Sequence, residues 1–208
     1  MPRRMSQSHE DLRRAAVDFA HEVVRGEGLA ALNVRRIAAD LGCSVGTIYN
    51  LFVDLDALLL EVAARVLDDM FAAVFAEGLP AAPEARLVEI ARRYIRFAAA
   101  ARRAWSMVFR HEPAHDRPTP DWHLARIGRL VAALEEVVAA ALPAAECDSR
   151  AVVEVLWASV HGIAALSLEG KLGFVAETEA EALAERAVRA LLVGLSAPEP
   201  AAGRPPPL

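Results

Sequence analysis

The chain has 208 residues, 55% of them hydrophobic and only 6% aromatic, and a formal net charge of −5. That length holds one domain or two small ones with a real core, and abundant Ala, Leu, Val, Arg and Glu favour helices over strands. The acidic balance excludes a nucleic-acid binder that works by bulk positive charge, so any such role must come from the placement of individual residues.

Residues 1–56 hold seven Arg against eight acids and carry a charge of −1. No uncharged run of eighteen apolar residues occurs, and the start MPRRMSQSHED lacks the apolar stretch of a signal peptide. A soluble, cytoplasmic protein without a membrane segment is therefore expected. Cys43 and Cys147 do not form a metal-type pair, which fits a reducing compartment.

Periodicity predicts a first helix from about Ser8 to Val24, with Leu12, Ala16, Phe19, Ala20 and Val23 on one face and Arg13 and Arg14 in solvent. Asn33 then has the chemistry of an N-cap for a helix carrying Val34, Ile37, Ala38 and Leu41 on one stripe. Gly42 can end that helix in a left-handed conformation at little cost. Ser44 caps a second short helix, Val45 to Phe52, which is too short to stand alone, so Ile48, Leu51 and Phe52 must pack inward. The remaining face carries Ser44, Val45, Gly46, Thr47, Tyr49 and Asn50. Cys43, in the turn, reads either as a small packed residue or as a reactive thiol.

Two short helices joined by a glycine turn have the layout of a helix-turn-helix, whose second helix enters the DNA major groove. Over residues 8 to 58 the residues Ile37-Ala38, Leu41-Gly42, Ser44, Gly46-Thr47, Ile48-Tyr49, Phe52 and Leu58 resemble, in order and without gaps, the N-terminal domain of the TetR family of transcriptional regulators. The pattern departs at Asn50-Leu51-Phe52, where many members have an aromatic-His-Phe run, and at Leu55, where they have a phosphate-binding Lys. The resemblance implies DNA-binding roles for Arg35, Arg36, Ser44, Val45, Gly46, Thr47, Tyr49 and Asn50. Thr47, Tyr49 and Asn50 would meet the groove and nearby backbone, Val45 a thymine methyl, and Ser44, Arg35 and Arg36 the phosphates.

Asp54 caps a fourth helix reaching about Glu77, with Leu58, Leu59, Val62, Val66, Met70 and Phe71 inward, stopped by Gly78 and Pro80. Pro83 opens a helix to about Ala101, and a shorter one follows through Trp105 and Phe109. The segment HEPAHDRPTP matches the letters of a zinc-protease motif at His111, Glu112 and His115. Pro113 prevents the uninterrupted helix which that chemistry needs, so no protease and no metal site is expected, the remaining option being loop binding with Asp116 or His123. Thr119 and Pro120 restart a helix through Trp122, Ile127, Leu130, Leu134, Val137 and Val138 to Pro143. Another runs from Ser149 to about Gly170, and Thr178 with Glu181 has capping-box spacing for the last, which carries Leu183, Ala187, Val188, Leu191 and Leu195. The tail APEPAAGRPPPL has a disordered composition.

The expectation is an all-α chain of nine helices. Residues 1–54 form the DNA-binding domain with its helix-turn-helix, 55–196 a ligand-binding and dimerisation domain, and 197–208 a tail. Trp157, His161 and Gly162 resemble the WHG class of TetR C-terminal domains. Tyr94, Phe97, Trp105, Phe109, Trp122, Trp157 and His161 are the candidate ligand-binding residues, with a packed aromatic core as the open alternative. Small residues on the last two helices, Ala158, Ser159, Gly162, Ala164 and Ala165 with Ala180, Ala184, Ala187, Ala190 and Gly194, suit either internal packing or the homodimer the family forms there. The resemblance thus implies a cofactor-free repressor of double-stranded DNA, dimeric on a two-fold operator and released by a small, largely apolar effector. An activator of the same fold, or a helical small-molecule protein or enzyme with an incidental helix-turn-helix, are the alternatives; no nucleophile-base pair or paired acids support the enzyme.

Overall fold

The computed structural model describes residues 8–110, 118–142 and 148–196. His111, Glu112, His115, Asp116, Cys147 and the Pro-rich tail lie outside the described residues. Among the described residues there are nine α-helices and no strand: α1 (His9–Gly26), α2 (Val34–Asp40), α3 (Val45–Leu51), α4 (Leu55–Val74), α5 (Pro83–Ala100), α6 (Arg102–Arg110), α7 (Asp121–Ala141), α8 (Ser149–Leu168) and α9 (Ala180–Ser196). They gather into two compact units that are not sequential. One takes the residues up to Ala72 together with those from Phe97 to Gly128; the other takes Ala73–Arg96 and the residues from Arg129 onward.

In the first unit, α1 is capped by Ser8, whose hydroxyl accepts from the Asp11 amide at 3.0 Å. The helix is buried around more of its girth than a single stripe allows, with Val17, His21 and Val24 inside as well as Ala16, Ala20 and Val23. The reason is that α6 packs on it in addition to the motif helices. Ala104 and Met107 of α6 share one apolar cluster with Ile37, Ile48, Phe52 and Val62. After α1, Gly28 has φ +95°, a conformation costly for any other residue, and Arg103 lies across it while donating to the Gly26 carbonyl. Asp54 caps α4, its carboxylate accepting from the Ala57 amide at 2.8 Å. The helix α7 starts at Asp121, one residue later than expected, with the Pro120 carbonyl accepting from the His123 and Leu124 amides.

In the second unit α8 packs along α9. Ser149–Leu168 is long and apolar enough by composition to cross a membrane, yet Val152, Val153, Leu156, Val160, Ala164 and Leu168 are buried in this fold. Ala184 and Val188 of α9 face the core, as do Leu87, Ile90 and Tyr94 of α5. The capping box expected at Thr178 and Glu181 does not form: α9 begins only at Ala180, and Glu181 pairs with Arg96 at 3.4 Å. Arg92 reaches Glu185 at 2.5 Å, so α5 and α9 are joined by two ion pairs.

Candidate nucleic-acid interface and aromatic cluster

The α2–α3 pair is fixed by short-range bonds. Asn33 Oδ1 accepts from the Arg36 amide at 3.0 Å, Gly42 turns the chain with φ +62°, and Ser44 Oγ accepts from the Thr47 amide at 3.1 Å. Ile37 and Ala38 point inward from α2, and Ile48 and Leu51 from α3, followed by Phe52. Burying those side chains leaves the opposite face of α3 to solvent: Ser44, Val45, Gly46, Tyr49 and Asn50 are exposed, Tyr49 by 54%. Thr47 is half-buried, its hydroxyl 2.9 Å from Ser44 Oγ. A Cβ at Gly46 would touch only Ser44 Oγ, at 3.6 Å. The fold therefore has no steric need for glycine in this helix, and its use there leaves the backbone open to close approach.

The two expected phosphate ligands on α2 differ. Arg35 is exposed. Arg36 turns back onto the end of α1 and grips both carboxylate oxygens of Glu27, at 2.8 and 2.5 Å, while also donating to the Ala31 carbonyl at 3.2 Å. The hydrogen bond from Arg36 holds the Glu27 carboxyl below the usual carboxylate range, and the same bond raises Arg36. Leu55 is half-buried against the apolar cluster.

Arg13, expected in solvent, is instead a clamp for α3. Its guanidinium donates to the Leu51 carbonyl and to Glu61, and lies 4.4 Å from the centre of the Phe52 ring. An orphan carbonyl at the end of a short helix is thereby satisfied. Sequence reasoning missed it because the partners are 38 and 48 residues away.

The seven aromatic and His candidates fall into the two units separately. In the second unit Tyr94, Trp157 and His161 come together: Tyr94 Oη lies 2.8 Å from His161 Nδ1, the Tyr94 and Trp157 rings meet edge-on at 5.2 Å, and Trp157 stacks on His161 at 5.5 Å. Tyr94 is buried, and Trp157 and His161 are half-buried. In the first unit Trp105 is only 1% exposed and packs on Phe109 at 4.9 Å, Phe97 borders the apolar cluster, and Trp122 is 42% exposed. Beside Trp122, His123 is buried; burial above all, and then Arg126, push its pKa below the ordinary 6.5, against the hydrogen bond it makes with Leu60. Among the described residues no three His, Cys, Asp or Glu side chains are grouped to hold a metal.

Comparison with known proteins matches residues 16–62 to the model of bacterial regulatory proteins, tetR family, and residues 87–191 to that of the tetracyclin repressor-like C-terminal domain. No curated protein matches the chain. Among solved structures, a protein of unknown function from Rhodococcus sp. RHA1 is similar over 95% of this chain and 100% of its own, with 22% identity and a TM-score of 0.74. A tetR-family transcriptional regulator from Streptomyces coelicolor is similar over 90% of this chain and 82% of its own, with 21% identity and a TM-score of 0.65. The ketosteroid transcriptional regulator KstR2 of Mycobacterium tuberculosis is 18% identical over 94% and 98%, with a TM-score of 0.51. At these identities the likeness is one of fold.

Proposed function

The chain belongs to the tetR family of bacterial regulatory proteins, DNA-binding regulators of transcription, and on that basis we propose that it is a homodimeric repressor that leaves a two-fold operator when a small, largely apolar effector binds. The observation that carries this reading is the face of α3, where Val45, Gly46, Tyr49 and Asn50 are exposed on a short helix whose opposite side is held by the packing of Ile48 and Leu51. Thr47, Tyr49 and Asn50 would contact the groove and Val45 a thymine methyl, with Ser44 at the phosphates. Arg35 is the free basic side chain of α2 for phosphate; Arg36 would have to leave Glu27 to join it.

Dimerisation is supported by the outer faces of α8 and α9. Val155 and Leu166 on one and Val193 on the other are exposed, Val193 by 72%, and a Cβ at Gly162 or Gly194 would meet nothing within 4 Å. Two helical glycines without an internal reason suit close approach of a second helix pair. For the effector, Tyr94 with Trp157 and His161 offers aromatic surface and one polar point, and a ligand shifts the regulator only by its differential affinity for the DNA-bound and released forms.

The test is fluorescence anisotropy of labelled DNA from directly upstream of the gene, titrated with protein at several salt concentrations. Two-fold, salt-sensitive binding that exceeds random DNA supports the reading and opens an effector screen in the same assay. If neither that DNA nor any sequence selected from a random pool is preferred, the DNA assignment fails and the helical small-molecule protein takes its place. Sedimentation of the Val193→Glu variant tests the dimer: a monomer is expected where the parent is a dimer.

A further inference from the structure

A cavity of about 170 Å³ in the first unit has no part in the roles above. Its walls come from α1, α4 and the corner where α5 meets α6. Val66, Phe97 and Ala104 give it an apolar side, and His21, Arg25 and Asp69 a polar one. His21 is 5% exposed, and its Nε2 atom has no hydrogen-bond partner, since Asp69 Oδ2 stands 3.1 Å away but out of line for a bond. A buried imidazole nitrogen left so is costly, and an apolar residue would pack this position at less expense.

We propose that this cavity is a binding site for a small uncharged molecule with one ring-sized hydrocarbon body and one hydroxyl group, phenol being the simplest such molecule. Size sets the body: an apolar cavity of about 150 Å³ takes up benzene, and a phenol ring is no larger. Chemistry sets the head. The hydroxyl can accept from a protonated His21 Nε2 while donating to the Asp69 carboxylate, or give its single proton to Nε2 in the other tautomer. Charge sets the rest: Arg25 and Asp69 cancel formally at the polar side, so neither an anion nor a cation gains from entry, while a neutral molecule gives up little hydration. The site is distinct from the Tyr94–Trp157–His161 cluster, and its occupancy does not depend on the repressor reading.

Calorimetric titration of the full chain with phenol, and with benzene as the analogue lacking the hydroxyl, tests the assignment. Phenol is expected to bind about fivefold tighter than benzene, the worth of one ordinary hydrogen bond. The Ala104→Leu variant, which fills the apolar side, should bind phenol at least tenfold more weakly. Should that variant not fold, Ala101→Leu at a half-buried lining position serves the same purpose. A crystal soaked in phenol should show the ring between Val66 and Phe97. Unchanged phenol binding in the filled variant, equal binding of benzene, or ordered water alone beside His21 in the soaked crystal overturns the proposal.

Discussion

In the α2–α3 pair each side-chain cap is made within three residues, Asn33 to Arg36 and Ser44 to Thr47, whereas the aromatic cluster of the second unit joins Tyr94 to His161 across 67 residues. The first arrangement gives an exposed, largely polar face on a small rigid support. The second gives a cluster with a buried Tyr and two half-buried rings, positioned only by the packing of whole helices. A surface read by another macromolecule can be built from local bonds, but a site that must enclose a small molecule needs walls from distant parts of the chain.

The sharpest way to break this comparison is to treat all the aromatics alike. Trp105→Ala removes a side chain that is 1% exposed in the first unit and is expected to cost about 3–5 kcal/mol, measured by urea unfolding. Trp157→Ala, at a half-buried position, should cost less than half as much. Equal losses would mean that the Tyr94 cluster is packed core and not a site.

Next in size is Arg13→Ala, which deprives the Leu51 carbonyl of its donor, Glu61 of its partner and the Phe52 ring of its cover. About 2 kcal/mol of stability should be lost, read from the same unfolding midpoint, together with some operator affinity because the end of α3 loosens. An unchanged midpoint would show that the short helix is held by its apolar side alone. Tyr49→Ala should do the opposite, weakening operator DNA about tenfold in the anisotropy assay while the unfolding midpoint and dimer stay as they are. A change in stability with no change in DNA affinity would move Tyr49 from the interface to the support.

These contrasts also explain what was legible beforehand. The helices, their caps at Asn33, Ser44 and Asp54, and the Gly42 turn were readable because each rests on a few neighbouring residues. The exposed face of α3 followed from the apolar spacing of Ile48, Leu51 and Phe52. Arg13 and Arg36 were not readable: a lone arginine on a helix looks the same whether it meets solvent, phosphate or a carboxylate distant in sequence. The false capping box at Thr178 failed for a related reason, since Glu181 was drawn into a pair with Arg96 that no local pattern announces. Nor does aromatic content reveal that Trp105 belongs to one unit and Trp157 to the other.

The smallest expected effect separates the first unit by pH. Burial, with Arg126 adding to it, depresses the pKa of His123 below 6.5, so the folded protein keeps a neutral ring where the unfolded chain is already taking up a proton. Stability from this residue is therefore complete above pH 6.5 and is lost as the pH falls through that value, until the folded-state pKa is reached and the loss levels off. Within that window the slope cannot exceed about 1.4 kcal/mol per pH unit for one proton. Thermal unfolding of the parent and of His123→Leu between pH 5 and 8 gives the comparison: the variant should lose one proton's worth of the acid slope and keep the rest. The leucine gives up the hydrogen bond to Leu60 but also removes the buried, unpartnered Nδ1 of His123, so at pH 8 it should cost about 1 kcal/mol or less. Parallel curves for the two proteins would mean that the folded ring takes up its proton as readily as the unfolded one does, and that its burial beside Arg126 is without electrostatic consequence.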